Sequence, residues 1–164
     1  MGDARAQDTN LIRYEIPKYI PLDYKTDSVM PPITGGEKSS RGFSHPAIAK
    51  LLCPLRYLDC FLIDPILFKN QIENATLKLR AIDERNWPSF LYPEGTIYDE
   101  SELDKGLFRG HVFLRGLRTI FTGKSSAFTG YRSASKPSQA EMHGMREVFP
   151  EAVAYAAVQV RPAI

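Results

Sequence analysis

Between Lys105 and Ala140 the chain carries seven basic side chains and no acidic one. Arg109, Arg115, Arg118, Lys124, Arg132 and Lys136 belong to this run, with Phe128 and Tyr131 interleaved. Long cationic side chains gathered on one surface can contact phosphates or carboxylates, and neighbouring aromatics can stack on unpaired bases. These six residues are the candidate binding surface, for an acidic protein or a nucleic acid. Directly upstream, Asp83 to Asp104 holds seven acids and one arginine, so a block of −6 precedes one of +7. The two blocks can instead satisfy each other, because acids before a helix start suit its dipole and can pair with arginines downstream. The total charge of +2 selects no partner class.

Other chemistry finds less support. Thr122-Gly123-Lys124-Ser125 ends like a phosphate-binding loop, but the glycine required five positions before Gly123 is replaced by Arg118, and the stretch leaves a helix rather than entering one. A glycine helix stop followed by a basic loop explains it. His45, His111 and His143 include no pair at i, i+3 or i, i+4, so no metal set is legible. A hydrolase or metal-dependent site assembled by folding, from a histidine and the acids Asp99, Glu100, Glu102 and Asp104, is the enzymatic alternative. No strained Gly-x-Ser-x-Gly elbow is present, and no cofactor fingerprint.

The elements that must position these residues are helical. From Ser101 to Gly123 the apolar residues Leu103, Leu107, Phe113, Leu114, Leu117, Ile120 and Phe121 fall within about 140° at 3.6 residues per turn. Ser101 with Asp104 resembles a capping box, and Gly123 is a natural stop, so one helix is expected over 101–123. Gly106 and Gly110 lie in its apolar arc, where each costs up to about 1 kcal/mol relative to alanine. Close approach of the alanine-rich segment around Ala152, Ala156 and Ala157 would offset that cost. Arg115 and Arg118 then face outward together.

Upstream, Ser44 is the expected cap of a short helix opening at Pro46. Leu55 to Ile63 is apolar on nearly all sides and should be buried, and Asp64-Pro65 starts a helix reaching about Leu79. Trp87-Pro88 to Tyr92-Pro93 must be extended, with Trp87 packed across the helices and its indole N–H on a carbonyl. Lys124 to Gln139 reads as a mobile loop, and Pro150 opens a final helix that Pro162 stops. Residues 1–42, interrupted by Pro17, Pro21, Pro31 and Pro32, read as an extended or weakly ordered arm. The expected fold is mainly α: a single compact helical domain of about five helices over 43–164, behind a proline-rich arm.

With 164 residues and 43% apolar composition the chain can bury a core without staples. Cys53 and Cys60, seven apart, form neither a disulfide framework nor a zinc pair and suit a reduced interior. The longest apolar run, Ala152 to Val158, is far short of the ~20 residues that cross a bilayer. The polar start lacks a conventional secretory signal. An intracellular protein of the cytoplasm or nucleus, with no membrane partner, is expected.

Several short blocks share an order with a known family. They are Arg41-Gly42-Phe43-Ser44-His45-Pro46 through Leu51-Leu52-Cys53-Pro54, then Trp87-Pro88-Ser89-Phe90-Leu91-Tyr92. Leu103-Asp104-Lys105-Gly106-Leu107 with Arg109-Gly110 follows, then Ile120-Phe121-Thr122-Gly123 with Ser125-Ser126-Ala127, and His143-Gly144-Met145 through Ala154-Tyr155-Ala156. Together they resemble a domain-of-unknown-function family expanded in mushroom-forming fungi. The resemblance supplies no activity and no catalytic residue. It implies that members are often longer, so that this chain would be a short or truncated version. The function expected from the residues is a non-enzymatic intracellular interaction module. The enzyme above, or a structural domain of a larger assembly, are the alternatives.

Overall fold

A computed structural model describes residues 2–33, 41–74, 86–129 and 137–164. Among them are eight α-helices and no strand, so the fold is mainly α. The helices are α1 (Gly2–Tyr19), α2 (Pro46–Leu52), α3 (Leu58–Ile63), α4 (Pro65–Glu73), α5 (His111–Phe121), α6 (Ser126–Thr129), α7 (Gln139–Met142) and α8 (Pro150–Ala163). They group into two bodies: Met1–Ser28 with His111–Ile164, and Val29–Gly110.

In the first body α1, α5 and α8 pack on one another. The N-terminal stretch is an 18-residue helix rather than an extended arm. Ile12, Ile16 and Tyr19 recur at helical spacing and are buried to 0–1% exposure, and burying three such side chains outweighs one proline. Pro17 sits in the last turn, where its missing N–H costs only the bond to the Arg13 carbonyl. Val112, Phe113 and Ile120 of α5 and Ala152, Ala156 and Val160 of α8 complete this core. Polar ties join α1 to α8: Tyr155 donates to the Asp8 carboxylate at 2.7 Å, and the Thr9 hydroxyl donates to Gln159 Oε1 at 2.5 Å.

The glycine pressed against the alanine-rich helix is Gly116, not Gly106 or Gly110. A methyl group at Gly116 would collide with the Val160 side chain. The expected rod over 101–123 exists only from His111. Residues 101–109 are successive turns, with Lys105, Leu107 and Arg109 N–H groups donating three residues back. Gly106 (φ +80°) and Phe108 (φ +62°) are left-handed, which no helix accommodates. Ser101 donates to Asp99, in place of the expected capping box with Asp104. Gly123 (φ +100°) ends α5 as expected, its N–H on the Arg118 carbonyl at 2.9 Å.

In the second body Ala49, Cys53, Phe61 and Phe68 form a core, with Phe43, Tyr57, Leu58 and Ile72 packed around it. The cap of α2 is His45, not Ser44: its ring accepts from the Ile48 N–H. Asp64 caps α4 by accepting from Leu67 N–H at 2.8 Å, with Pro65 in the first turn, as expected. That helix ends at Glu73, and the expected continuation over 75–79 lies outside the described residues. The Leu55–Ile63 stretch is less buried than expected, because Leu62 and Ile63 face solvent. The Trp87–Pro93 segment is largely extended, apart from one turn of 3₁₀ helix over Ser89–Leu91, and is pinned by Leu55 N–H on the Trp87 carbonyl and Ser89 N–H on the Cys53 carbonyl. Trp87 is half-buried and meets Phe108 edge-on at 5.9 Å, while Phe90, Leu91 and Tyr92 bury fully. Gly110 lies against the carbonyls of Phe90 and Tyr92, where a side chain would clash, and its N–H donates to the Leu91 carbonyl at 3.0 Å.

Candidate functional site

A helix leaves its last four carbonyls without intrahelical partners. At the end of α1 the last of these, the Tyr19 carbonyl, and the three beyond the helix meet α5. His111 and Arg115 are four residues apart and so project from one face. His111 Nε2 donates to the Ile20 carbonyl at 2.8 Å. Arg115 donates to the carbonyls of Tyr19 (2.7 Å), Pro21 and Leu22 (2.6 Å). Its guanidinium also lies 4.9 Å from the centre of the Phe128 ring. Phe128 in turn stacks on Tyr24 at 3.8 Å and meets Tyr19 edge-on at 5.6 Å. Burial, together with the neighbouring Arg118 charge, holds the Arg115 pKa below its ordinary value.

The best-aligned cation of the basic stretch thus closes a helix end, and Phe128 is covered by other side chains. Arg118, a turn further on, reaches only the Ala127 carbonyl among the described residues, at 3.5 Å. Lys124 pairs with Glu15 at 2.9 Å, and Lys18 joins the same carboxylate at 3.0 Å. Burial pushes the Glu15 carboxyl up, but the bonds from Lys124 and Lys18 outweigh it and hold the pKa below the ordinary value. Arg109 belongs to the Val29–Gly110 body, where it lines an open cavity of about 770 Å³ with Lys105, Asp99 and Glu100. Arg132 and Lys136, like Tyr131, lie outside the described residues. Of the six candidate cations, Arg115, Arg118 and Lys124 thus lie in the first body and Arg109 in the second. The expected loop after Gly123 contains α6, and Ser126 closes the turn by donating to the Gly123 carbonyl at 2.7 Å.

The histidines divide by role. His45 is buried, with Nε2 on the Pro31 carbonyl at 2.7 Å and the other ring nitrogen on Ile48 N–H. His111 holds Ile20 as above. Two of the acids at 99–104 are engaged locally, Asp99 with Ser101 and Glu102 with Lys105. Among the described residues no group of three His, Cys, Asp or Glu side chains is gathered for a metal ion. No described helix is long and apolar enough to cross a membrane.

His143 lines a second cavity, of about 380 Å³, with Asp8, Phe121 and Tyr155. Sequence reasoning missed it because one wall comes from α1, expected to be an irregular arm, and another from α7 and the residues after it, for which no element was expected. The spacing of Ile12, Ile16 and Tyr19 was the available signal for α1.

No curated protein and no solved structure matches the chain. A family model matches all of it, residues 1–164, so the chain belongs to a family of unknown function (DUF6698).

Proposed function

We propose that the chain is a non-enzymatic interaction module that docks against another protein. The observation supporting this is an aliphatic face on α3 and α4: Leu62, Ile63, Ile66 and Leu67 are 55%, 84%, 75% and 52% exposed. Four large aliphatic side chains within six positions are a costly thing to leave in water, and such patches mark protein contacts. Nucleic acid offers no matching surface, and the cation best aligned for phosphate, Arg115, holds backbone carbonyls. Two free thiols, with Cys60 exposed, suit a reducing compartment, the cytosol or nucleus.

Sedimentation velocity and co-purification, each comparing wild type with Ile63→Glu/Ile66→Glu, test the proposal. A partner chain, or a second copy, that the variant loses while its thermal midpoint is unchanged supports it. Identical behaviour of the two proteins in both measurements overturns it.

A second reading rests on the acid-free run from Lys105 to Ala140. Lys124 remains half exposed despite its ion pair, and among the described residues Arg118 makes only a long bond. These two would meet an acidic protein segment or a nucleic acid, with Arg132 and Lys136 adjoining in sequence. Anisotropy titrations with polyglutamate and with a single-stranded oligonucleotide, at low and high salt, separate the two partners. Binding that Arg118→Ala/Lys124→Ala leaves unaltered, or that salt does not weaken, removes this reading.

A further inference from the structure

The half-open cavity of about 380 Å³ in the first body is lined by α1, the end of α5, the α7 turn and α8. Its volume falls within the few hundred cubic ångströms typical of small-ligand sites. Ile120 and Met145 give it an apolar surface, while Phe121 and Tyr155 form an aromatic corner, with ring centres 6.4 Å apart and planes at 63°. One acid, Asp8, faces it, and no described ion pair involves that carboxylate. The Tyr155 hydroxyl donates to Asp8 Oδ2 at 2.7 Å, which orients the carboxylate and leaves its other oxygen as an acceptor.

A carboxylate fixed beside two aromatic rings at the edge of an apolar cavity has a specific complement. An aromatic ring attracts a cation to its negative face, the carboxylate supplies the counter-charge, and the aliphatic lining accepts a carbon stem. An anion would meet the Asp8 charge, and a purely apolar molecule would leave that carboxylate desolvated without a partner. We propose that this cavity binds an organic ammonium group carried on an aliphatic stem. The stem lies along Ile120 and Met145, and the ammonium sits between Asp8 and the Phe121–Tyr155 corner, with His143 at the mouth. The site is independent of the α3–α4 face, so either proposal can fail without the other.

The chemistry has two sources, a free alkylamine or a lysine side chain of another protein. NMR titration of the full chain with butylammonium, butanol and butyrate compares one stem under three charges. Butylammonium should shift the amide signals of Asp8, Phe121, Met145 and Tyr155, with butanol and butyrate weaker by at least about tenfold. Asp8→Asn should weaken butylammonium by a similar factor. Equal binding of the amine and the alcohol, or shifts confined to other residues, overturns the site. That comparison needs only wild type, so it decides even if Asp8→Asn fails to fold. A blocked Gly-Lys-Gly peptide supplies the other arm. Binding as tight as butylammonium assigns the site to a protein side chain, and butylammonium alone assigns it to a free amine.

Discussion

The Tyr19 phenol donates its proton to Thr119. The reason lies on the threonine, whose hydroxyl donates back to the Arg115 carbonyl at 2.8 Å and so can only accept from Tyr19. The pair joins α1 to α5 in a buried setting.

Burial pushes the Tyr19 phenol up from 10.0 to about 12. The protonated form is therefore favoured in the folded chain. Its contribution is fully present below pH 10 and is lost as pH rises through about 12. In an alkaline unfolding titration Tyr19→Phe should begin from lower stability, by about 1 kcal/mol at neutral pH. Part of its loss above pH 10 should disappear, since phenylalanine cannot ionise. An unchanged alkaline limb would contradict the assignment.

Arg115→Ala should cost about 2–3 kcal/mol in urea unfolding, because it strips a charged donor from three carbonyls at once. Arg115→Lys should recover less than half, since an ammonium cannot reproduce the planar fork. Arg118→Ala should cost under about 1 kcal/mol. Equal costs for Arg115→Ala and Arg118→Ala would place Arg115 on the surface after all.

The two thiols should separate cleanly. Cys60 is exposed and Cys53 is buried, where desolvation raises its pKa from 9.0 to about 12. Ellman's reagent at pH 8 should titrate Cys60 at once and Cys53 only on adding denaturant. Fast reaction of both thiols in the native chain would refute the buried core around Cys53.

Gly116→Ala should destabilise by about 1–3 kcal/mol through its clash with Val160. Adding Val160→Ala should make the glycine substitution nearly neutral in that background, a coupling read by a double-mutant cycle. Additive losses would mean that α5 and α8 do not meet there.

Several helix ends were legible from local signals, although Ser44, Ser101 with Asp104, and Pro162 misled. Asp64-Pro65, Gly123 and Pro150 each act within about four residues of themselves, so a few letters suffice to read them. The N-terminal helix was partly legible in the spacing of Ile12, Ile16 and Tyr19. Proline signals masked it, because their cost depends on whether the lost bond falls mid-helix or in the last turn. The helix expected over 101–123 failed at its first half, where the apolar period continues through Gly106 and Gly110. Periodicity records which side could be buried, whereas the left-handed backbone at Gly106 and Phe108 was set by the neighbouring turns.

The direction Arg115 faces was beyond any local rule. Its partners, Tyr19, Pro21 and Leu22, lie 93 to 96 residues away in the chain. An arginine aimed at water and one aimed at the carbonyls of a distant helix have the same neighbours in sequence. Charge, helix period and cap residues are properties of short stretches and could be read from them. Which charges remain available to a partner depends on where orphaned backbone groups come to lie, and only packing α1 against α5 decides that.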